Sequence, residues 1–217
     1  MFDAILFDLD GTLADTAPDL GRCLNLVRAE LGLAPMELGQ LRPHTSSGVR
    51  GLLGAGMDLR PDHPEYRKLA DRFLEHYAAG LCVHSMPFEG MEAVLAQIEA
   101  RGLPWGVVTN KAARFTTPLV AALGWQQRAA CVVSGDTTPH AKPHPAPLFH
   151  AAQAMGVAAA RCVYVGDDLR DIQAARAAGM GALAAAWGYL GAGQPIHEWG
   201  ADAVIEHPAA LLAALGL

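Results

Sequence analysis

Short apolar runs alternate with helical patterns through most of the chain. These runs end in polar or glycine residues and span 4–8, 104–110, 130–136, 161–168, 181–187 and 201–207. They are apolar without alternation, which is typical of strands covered on both faces. Strands that alternate with helices predict an α/β fold, a Rossmann-like parallel sheet with helices on both faces.

The alternation stops between about residues 16 and 81, where the pattern is helical only. The first predicted helix starts at Thr16 as its N-cap and has an apolar stripe made of Leu20, Cys23, Leu24, Val27 and Leu31. A second helix is predicted over about 64–79, and the segment 83–90, which contains Pro and Gly, predicts a linker back to the sheet. We therefore expect a core of residues 1–14 and 85–217, with a small helical domain, residues 15–84, inserted after strand 1.

Composition narrows the class of protein. The chain has 217 residues, 52% of them hydrophobic and 18% charged, which predicts a buried core rather than disorder. The formal net charge is −6 and no basic block occurs, so a nucleic-acid surface is not expected. No apolar run is long enough to span a bilayer. The four cysteines form no C-x-x-C pair, which favours reduced thiols in a cytoplasmic protein, expected to be a monomer or weak dimer.

Asp8 and Asp10 stand at the end of the first apolar run, where a carboxylate is costly to bury. Asp-Gly between apolar runs is a hairpin signal, but the segment that follows is helical and offers no second strand. Alternatively, residues two apart in a strand point the same way, toward the sheet edge where α/β proteins bind ligands. From this stretch alone, both interpretations remain open.

Other strand ends would deliver polar groups to the same edge. Thr109-Asn110 and Ser134-Gly135-Asp136 follow the next two runs, and Gly166-Asp167-Asp168 follows the fourth, with Asp171 one helical turn beyond. Clustered carboxylates repel one another and require a cation. Lys142 adds a positive charge just after the third strand. With Mg²⁺, this set of charges suits a phosphate monoester, which the acids alone would repel.

In order and spacing, these motifs resemble the haloacid dehalogenase-like (HAD) superfamily. The motifs are "DLDGT" with Asp8 and Asp10, "VVTN" with Thr109, Lys142 before a proline, and "GDDLRD". The helical insert resembles the small cap domain of the phosphoglycolate phosphatase group. Within that group, "VHSMPFEGM", "WGVVTNKAARF", "VGDDLRDI" and "WGADAVIEHP" are particularly similar to bacterial N-acetylmuramic acid 6-phosphate phosphatases.

The resemblance implies a Mg²⁺-dependent phosphatase acting on a small phosphorylated metabolite. Asp8 would be the nucleophile that forms an aspartyl-phosphate, and Asp10 the general acid and base. The metal would be held by the Asp8 and Asp167 carboxylates and the Asp10 backbone carbonyl. Lys142 would stabilise the nucleophile and the transferring phosphoryl charge.

Further roles are implied beside these. Thr109 and the Asn110 backbone N–H would bind a phosphate oxygen, and Asp171 would orient Lys142 or a metal-bound water. Asp168 is expected to cap the helix that starts there, although a role at the metal stays open. Lys111 would either line the entrance or be solvated.

In the helical insert, "HTSSGVRGLL" (44–53) resembles the substrate-binding segment of related caps. Ser46, Ser47 and Arg50 are therefore possible ligands for the part of the substrate that is not phosphate, and Arg50 would pair with a carboxylate. The alternative is that Arg50 is simply a solvated helix residue.

Three other functions are compatible with the fold. A sugar phosphomutase would have to protect the phosphorylated enzyme from water and return the phosphoryl group to a sugar. A dehalogenase has no use for Asp10 at a metal site. A non-catalytic binding module is at odds with the intact set of Asp8, Asp10, Thr109, Lys142 and Asp167.

Overall fold

The computed structural model describes residues 2–191 and 193–217. In chain order its helices and strands are β1 (Ala4–Phe7), β2 (Ala14–Asp15), α1 (Ala17–Glu30), α2 (Leu38–Leu41), α3 (Gly48–Met57), α4 (Tyr66–Ala79), β3 (Met86–Pro87), α5 (Met91–Ala100), β4 (Trp105–Val108), α6 (Ala113–Ala122), β5 (Cys131–Val133), α7 (Ala146–Ala154), β6 (Cys162–Gly166), α8 (Leu169–Ala177), β7 (Gly181–Ala185), β8 (Ala203–Ile205) and α9 (Leu211–Leu215). Between α2 and α3 the chain forms a 3-10 helix, Arg42–Ser47. Across the described ranges, no helix combines the length and the apolar composition needed to cross a membrane.

The described residues form a six-stranded parallel sheet in the order β5-β4-β1-β6-β7-β8. Each strand coincides with one of the predicted apolar runs, so the α/β prediction is confirmed. β1 lies in the middle, where Phe7 pairs with Val107 of β4 on one side and Val165 of β6 on the other. The carboxyl ends of β4, β1 and β6 are therefore neighbours at one edge of the sheet.

Both faces of β1 are buried, which explains its uninterrupted apolar sequence. Ile5 and Phe7 belong to the apolar layer that α5 covers, whereas Ala4 and Leu6 belong to the layer on the other face. This division follows the two-residue period of a strand. Removing one such side chain from water contributes about 1.5–3 kcal/mol, so the centre of the sheet is a rigid base for the residues that follow it.

Helices α1 to α4 lie between β2 and β3 and pack around an apolar cluster that Phe115 of α6 also joins. β2 and β3 pair antiparallel, with Ala14 opposite Pro87 and Asp15 opposite Met86. The chain thus leaves the core and returns to it side by side. This ribbon was not predicted, because two-residue strands are too short to show a period in the sequence.

The first turn of α1 is fastened to the returning segment by Asp19. Its Oδ2 accepts hydrogen bonds from the backbone N–H groups of Val83, His84 and Ser85 at 3.0, 2.9 and 2.8 Å, and from the Ser85 hydroxyl at 2.8 Å. Burial opposes ionisation of this carboxyl, but the hydrogen bonds outweigh burial and lower its pKa. Asp19 therefore acts as a buried anchor for the return of the chain.

Two details of α1 differ from the prediction. Thr16 occupies the N-cap position, but its side chain makes no capping bond. Its hydroxyl donates instead to Asp10 Oδ1 at 2.6 Å. Leu31 lies beyond the end of the helix and is 48% exposed, so it does not complete the buried stripe.

Candidate active site

The candidate nucleophile lies at the centre of the carboxyl edge of the sheet. Asp8 follows β1 directly and donates its backbone N–H to Val165 O at 2.9 Å, while Thr109 after β4 donates its own to Val133 O at 2.9 Å. The strand order places Asp167, which follows β6, on the other side of Asp8. The predicted convergence of these strand ends is therefore present in the fold.

Lys142 is almost completely buried beside Asp8. Its ammonium lies 2.9 Å from Asp8 Oδ1 and 2.7 Å from Asp171 Oδ1. It also donates to Val108 O at 2.9 Å and to the Tyr164 hydroxyl at 2.7 Å. Burial opposes the charge, but Asp171 and Asp8 outweigh burial and raise the pKa of Lys142, so the side chain remains a cation.

The backbone of Lys142 is fixed by the side chain of Asn110. Asn110 Nδ2 donates to Lys142 O, and Lys142 N donates to Asn110 Oδ1, both at 2.9 Å. Asn110 also lines the cavity described below. The amide that follows β4 therefore positions the lysine, and the expected phosphate contact through the Asn110 backbone remains a prediction.

Three buried carboxylates can bring one oxygen each within 4.8 Å of the others: Asp8, Asp167 and Asp171. Burial first, and then mutual repulsion, raises the pKa of Asp167 and raises that of Asp8 to about 7. Asp8 Oδ1 is buried and lies 2.9 Å from the Lys142 ammonium. An oxygen-only donor set with excess negative charge fits Mg²⁺.

Asp167 is held from two sides and packed against glycine. Its Oδ1 accepts from the Thr12 hydroxyl and its Oδ2 from the Tyr189 N–H, both at 2.8 Å. Gly11 has a φ of +88°, and a Cβ at Gly11 would overlap the Asp167 carboxylate. The glycine of "DLDGT" is thus required both by the turn and by the close approach of Asp167.

The carboxylate of Asp10 stands apart from this acidic group. Its Oδ1 accepts from Lys111 Nζ at 2.7 Å and from the Thr16 hydroxyl at 2.6 Å. Lys111 is mostly buried, so the interpretation that it is a solvated lysine is wrong. Burial opposes the Lys111 charge, but Asp10 outweighs it and raises the lysine pKa. Asp10 is thereby held in one orientation next to Asp8.

Asp168 and Asp171 begin α8 as a capping box. The Asp168 side chain accepts from Arg170 N at 2.9 Å, and Asp171 Oδ2 accepts from Asp168 N at 3.1 Å. The expectation that Asp168 caps this helix is confirmed. Asp171 thus has two contacts at once, since its other oxygen holds Lys142.

A cavity of about 370 Å³ lies over these residues, between the sheet edge and the helices. Its floor includes Asp8, Asp10, Thr109 and Lys142, and Ser47 lies on the helical side. Arg50 is exposed and is not among the residues that border the cavity, so the geometry gives no support to its predicted role.

Two arginines that border the cavity were not predicted. Arg114 lies at the start of α6 with its guanidinium over the Phe115 ring, 4.6 Å from the ring centre. Arg170 pairs with Asp168 and donates to Ser46 O at 2.8 Å, which joins the core to the helical side. In the sequence, the only indication that these arginines belong to the site is their position next to a motif.

Known proteins resemble the chain over nearly its whole length. A phosphoglycolate phosphatase of Xanthomonas campestris pv. campestris is 47% identical over 94% of this chain and 92% of its own. An N-acetylmuramic acid 6-phosphate phosphatase of Pseudomonas aeruginosa is 40% identical over 96% of this chain and 92% of its own. The crystal structure of a predicted phosphoglycolate phosphatase from Haemophilus somnus superposes with a TM-score of 0.86 at 27% identity, covering 99% of this chain and 98% of that one.

The model of the haloacid dehalogenase-like hydrolase family matches residues 5–185. This range includes Asp8, Asp10, Thr109, Lys142 and Asp167. The chain belongs to the haloacid dehalogenase-like hydrolase family.

Proposed function

We propose that this protein is a Mg²⁺-dependent phosphoric monoester hydrolase that works through an aspartyl-phosphate on Asp8. The observation that carries the proposal is the buried Lys142 ammonium between Asp8 and Asp171, with the Asp167 carboxylate beside them. Lys142 favours the ionised form of Asp8 that a nucleophile requires, against burial, which raises the pKa of Asp8 to about 7. The names of the curated relatives support the same class of reaction.

The first step transfers the phosphoryl group to the enzyme. An Asp8 carboxylate oxygen attacks phosphorus, the bond from phosphorus to the leaving oxygen breaks, and Asp10 gives that oxygen a proton. In the second step Asp10 takes a proton from water, whose oxygen attacks the same phosphorus and releases inorganic phosphate and free Asp8. Lys111 and Thr16 keep Asp10 oriented for both transfers.

Charge on the phosphoryl group requires positive partners. Lys142 supplies one beside Asp8, and Thr109 would donate a hydrogen bond to a phosphoryl oxygen from the end of β4. The Asp8 and Asp167 carboxylates and the Asp10 backbone carbonyl would hold Mg²⁺, which offsets the charge of the acids and of the phosphate. Asp171 would remain with Lys142, because their contact at 2.7 Å is already made.

The helical segment, residues 15–84, would act as a cap over a core of residues 1–14 and 85–217. The paired strands β2 and β3 lie where the chain crosses between the two parts. Their position supports a hinge there, with the contact from Arg170 to Ser46 O as a bond that forms on closing. Closure would exclude bulk water during the first transfer.

The substrates proposed are 2-phosphoglycolate and N-acetylmuramic acid 6-phosphate, after the names of the two groups of relatives. Each has a carboxylate as well as a phosphate. Arg114 borders the cavity and is a better placed partner for that carboxylate than Arg50, which lies outside its lining. A guanidinium binds a carboxylate through two parallel hydrogen bonds.

The test is phosphate release from both substrates and from p-nitrophenyl phosphate, with Mg²⁺ and with EDTA. Asp8→Asn should abolish turnover, because the amide is a poor nucleophile. Asp3→Asn is the matched control, since Asp3 lies at the opposite end of the same strand in an exposed ion pair with Arg161. Turnover that survives EDTA, or that survives in Asp8→Asn, would contradict the proposal.

A further inference from the structure

Tyr189 lies in the loop after β7 and is tied to the site at both of its ends. Its backbone N–H donates to Asp167 Oδ2 at 2.8 Å. Its hydroxyl, at the far end of a buried side chain, accepts hydrogen bonds from Thr16 N at 2.8 Å and from Ala17 N at 2.9 Å. One residue thus contacts both a proposed metal ligand and the start of the helix by which the chain leaves the core.

Helix α1 uses this hydroxyl in place of a local N-cap. The first N–H groups of a helix have no partner inside it, and the Thr16 side chain donates to Asp10 instead of capping. Ala17 N has a second contact with Asp15 Oδ1, but this contact is longer, at 3.4 Å. The position of the first turn therefore depends on a residue that lies 173 positions further along the chain.

The Tyr189 hydroxyl is also linked to the helical segment through Asp15. It donates to Asp15 Oδ1 at 3.1 Å, and the Asp15 carboxylate accepts two hydrogen bonds, of 2.9 and 2.8 Å, from the Arg42 guanidinium. Arg42 begins the 3-10 helix that ends at Ser47, beside the cavity. With two hydrogen bonds accepted and one donated, the capacity of the hydroxyl is filled, which fixes it in place.

Asp167 and the backbone of Tyr189 are held together by close packing as well. A Cβ at Gly188 would overlap the Asp167 side chain, so the loop passes directly against it. Trp187 Nε1 donates to Thr12 O at 3.0 Å, and the Thr12 hydroxyl donates to Asp167 Oδ1 at 2.8 Å. Asp167 is therefore enclosed between two loops, and a shift of its carboxylate displaces Tyr189.

We propose that Tyr189 is a positioning residue that couples Asp167 to the first turn of α1, so that Mg²⁺ binding and one position of the helical segment favour each other. This inference rests on the Mg²⁺ site of the proposed function and adds how the segment responds to it. A cation relieves the repulsion among the three buried acids and so restrains Asp167. Tyr189 carries that restraint to Thr16 and Ala17. The coupling is reciprocal, because closing the segment raises the affinity for Mg²⁺ by the same factor.

The experiment measures amide hydrogen exchange in the first turn of α1, with and without Mg²⁺, in the wild type, Tyr189→Phe and Ser85→Ala. Tyr189→Phe keeps the ring and the N–H that contacts Asp167, and it removes the hydroxyl. Ser85→Ala is the matched control, because it removes a hydrogen bond to Asp19 in the same turn and leaves the link to Asp167 intact.

Three further measurements complete the design. Exchange in α5 is the internal reference, since Mg²⁺ slows it only by stabilising the whole fold. Calorimetry gives the Kd for Mg²⁺, and phosphate release from p-nitrophenyl phosphate reports the proposed activity separately.

In the wild type, Mg²⁺ should slow exchange in the first turn of α1 at least about fivefold more than in α5, the lower end of typical coupling. In Tyr189→Phe this difference should fall below about twofold, and the Kd for Mg²⁺ should rise by up to about fivefold. Ser85→Ala should speed exchange but keep the wild-type response to Mg²⁺, as expected when only stability is lost.

An equal response to Mg²⁺ in the wild type and Tyr189→Phe would overturn the inference. A wild type that binds Mg²⁺ and hydrolyses p-nitrophenyl phosphate, with no slowing in α1 beyond that in α5, would overturn it too, and this outcome is decisive even if Tyr189→Phe does not fold. Both results leave the phosphatase function standing. A wild type that binds no Mg²⁺ would overturn both proposals.

Discussion

Replacing Lys142 with methionine tests the electrostatic core of the site. The substitution keeps the apolar stem and removes the ammonium that contacts Asp8 and Asp171 at 2.9 and 2.7 Å. Val108 O loses the Lys142 donor and keeps the Tyr164 hydroxyl, which donates to it at 2.7 Å. Three buried carboxylates would then share one place without the ammonium that contacts two of them.

The expected loss of stability is large. Removing one partner of a buried ion pair costs about 3–5 kcal/mol, because the remaining charges stay desolvated. For a chain of this length, that corresponds to a fall in Tm of roughly 6–20 °C. Phosphate release should fall below detection, since Lys142 would also stabilise the transferring phosphoryl group.

The assay is thermal unfolding followed by circular dichroism at pH 8, with and without Mg²⁺. Mg²⁺ should raise the Tm of Lys142→Met more than that of the wild type, because the cation binds the folded state and replaces the missing charge. Lys68→Met is the control. Lys68 forms an exposed pair with Glu65, so its loss should change the free energy of unfolding by less than about 0.5 kcal/mol.

A Lys142→Met protein that unfolds within about 1 °C of the wild type in the absence of Mg²⁺ would refute this reasoning. It would mean that the contacts of Lys142 with Asp8 and Asp171 do not stabilise the fold. An equal response of both proteins to Mg²⁺ would show instead that the cation does not bind beside Lys142.

The remaining predictions concern packing, pH and closure. Gly11→Ala should destabilise the protein by at least about 1 kcal/mol and reduce Mg²⁺-dependent turnover, because its Cβ would displace Asp167 and its φ is positive; urea unfolding and phosphate release check both. The lowered pKa of Asp19 stabilises the fold above the ordinary carboxyl pKa, and this contribution is lost as the pH falls below about 4. Asp19→Asn should therefore lower the Tm at pH 7 but have little effect on the Tm below about pH 4. An equal loss of Tm at pH 7 and below about pH 4 would argue against this. Arg170→Met should remove the hydrogen bond to Ser46 O. It should raise KM for N-acetylmuramic acid 6-phosphate more than KM for p-nitrophenyl phosphate, and equal changes in KM would exclude a role of Arg170 in closure.

Sequence periodicity predicted the sheet and the floor of the site well. The apolar runs are long enough to show that both faces of each strand are covered, and a parallel sheet brings the carboxyl ends of its strands to one edge. Asp8, Thr109 and Asp167 could therefore be placed together from the positions where their strands end. The charge of Lys142 was visible just after the third strand, but its role was recognisable only by resemblance to a family motif, because it lies in a loop without periodicity.

The helical side of the site was much less predictable. Arg114 and Arg170 border the cavity, yet in the sequence only their position next to a motif distinguishes them from solvated arginines. Arg50 has the chemistry expected of a carboxylate partner, yet α3 leaves it exposed outside the cavity. Side-chain direction on a helix depends on how the helix packs, which a single element does not reveal.

By itself, the sequence determined the class of fold and the acidic residues that follow the strands at one edge of the sheet. It also determined the excess of negative charge there, which requires a cation. Tertiary structure alone decided which partners those groups have: Lys111 and Thr16 for Asp10, and Asn110 for the backbone of Lys142. The physical reason is that strand periodicity is local and is written in neighbouring residues. Hydrogen-bond partners far apart in the chain are set by the packing of whole helices against the sheet.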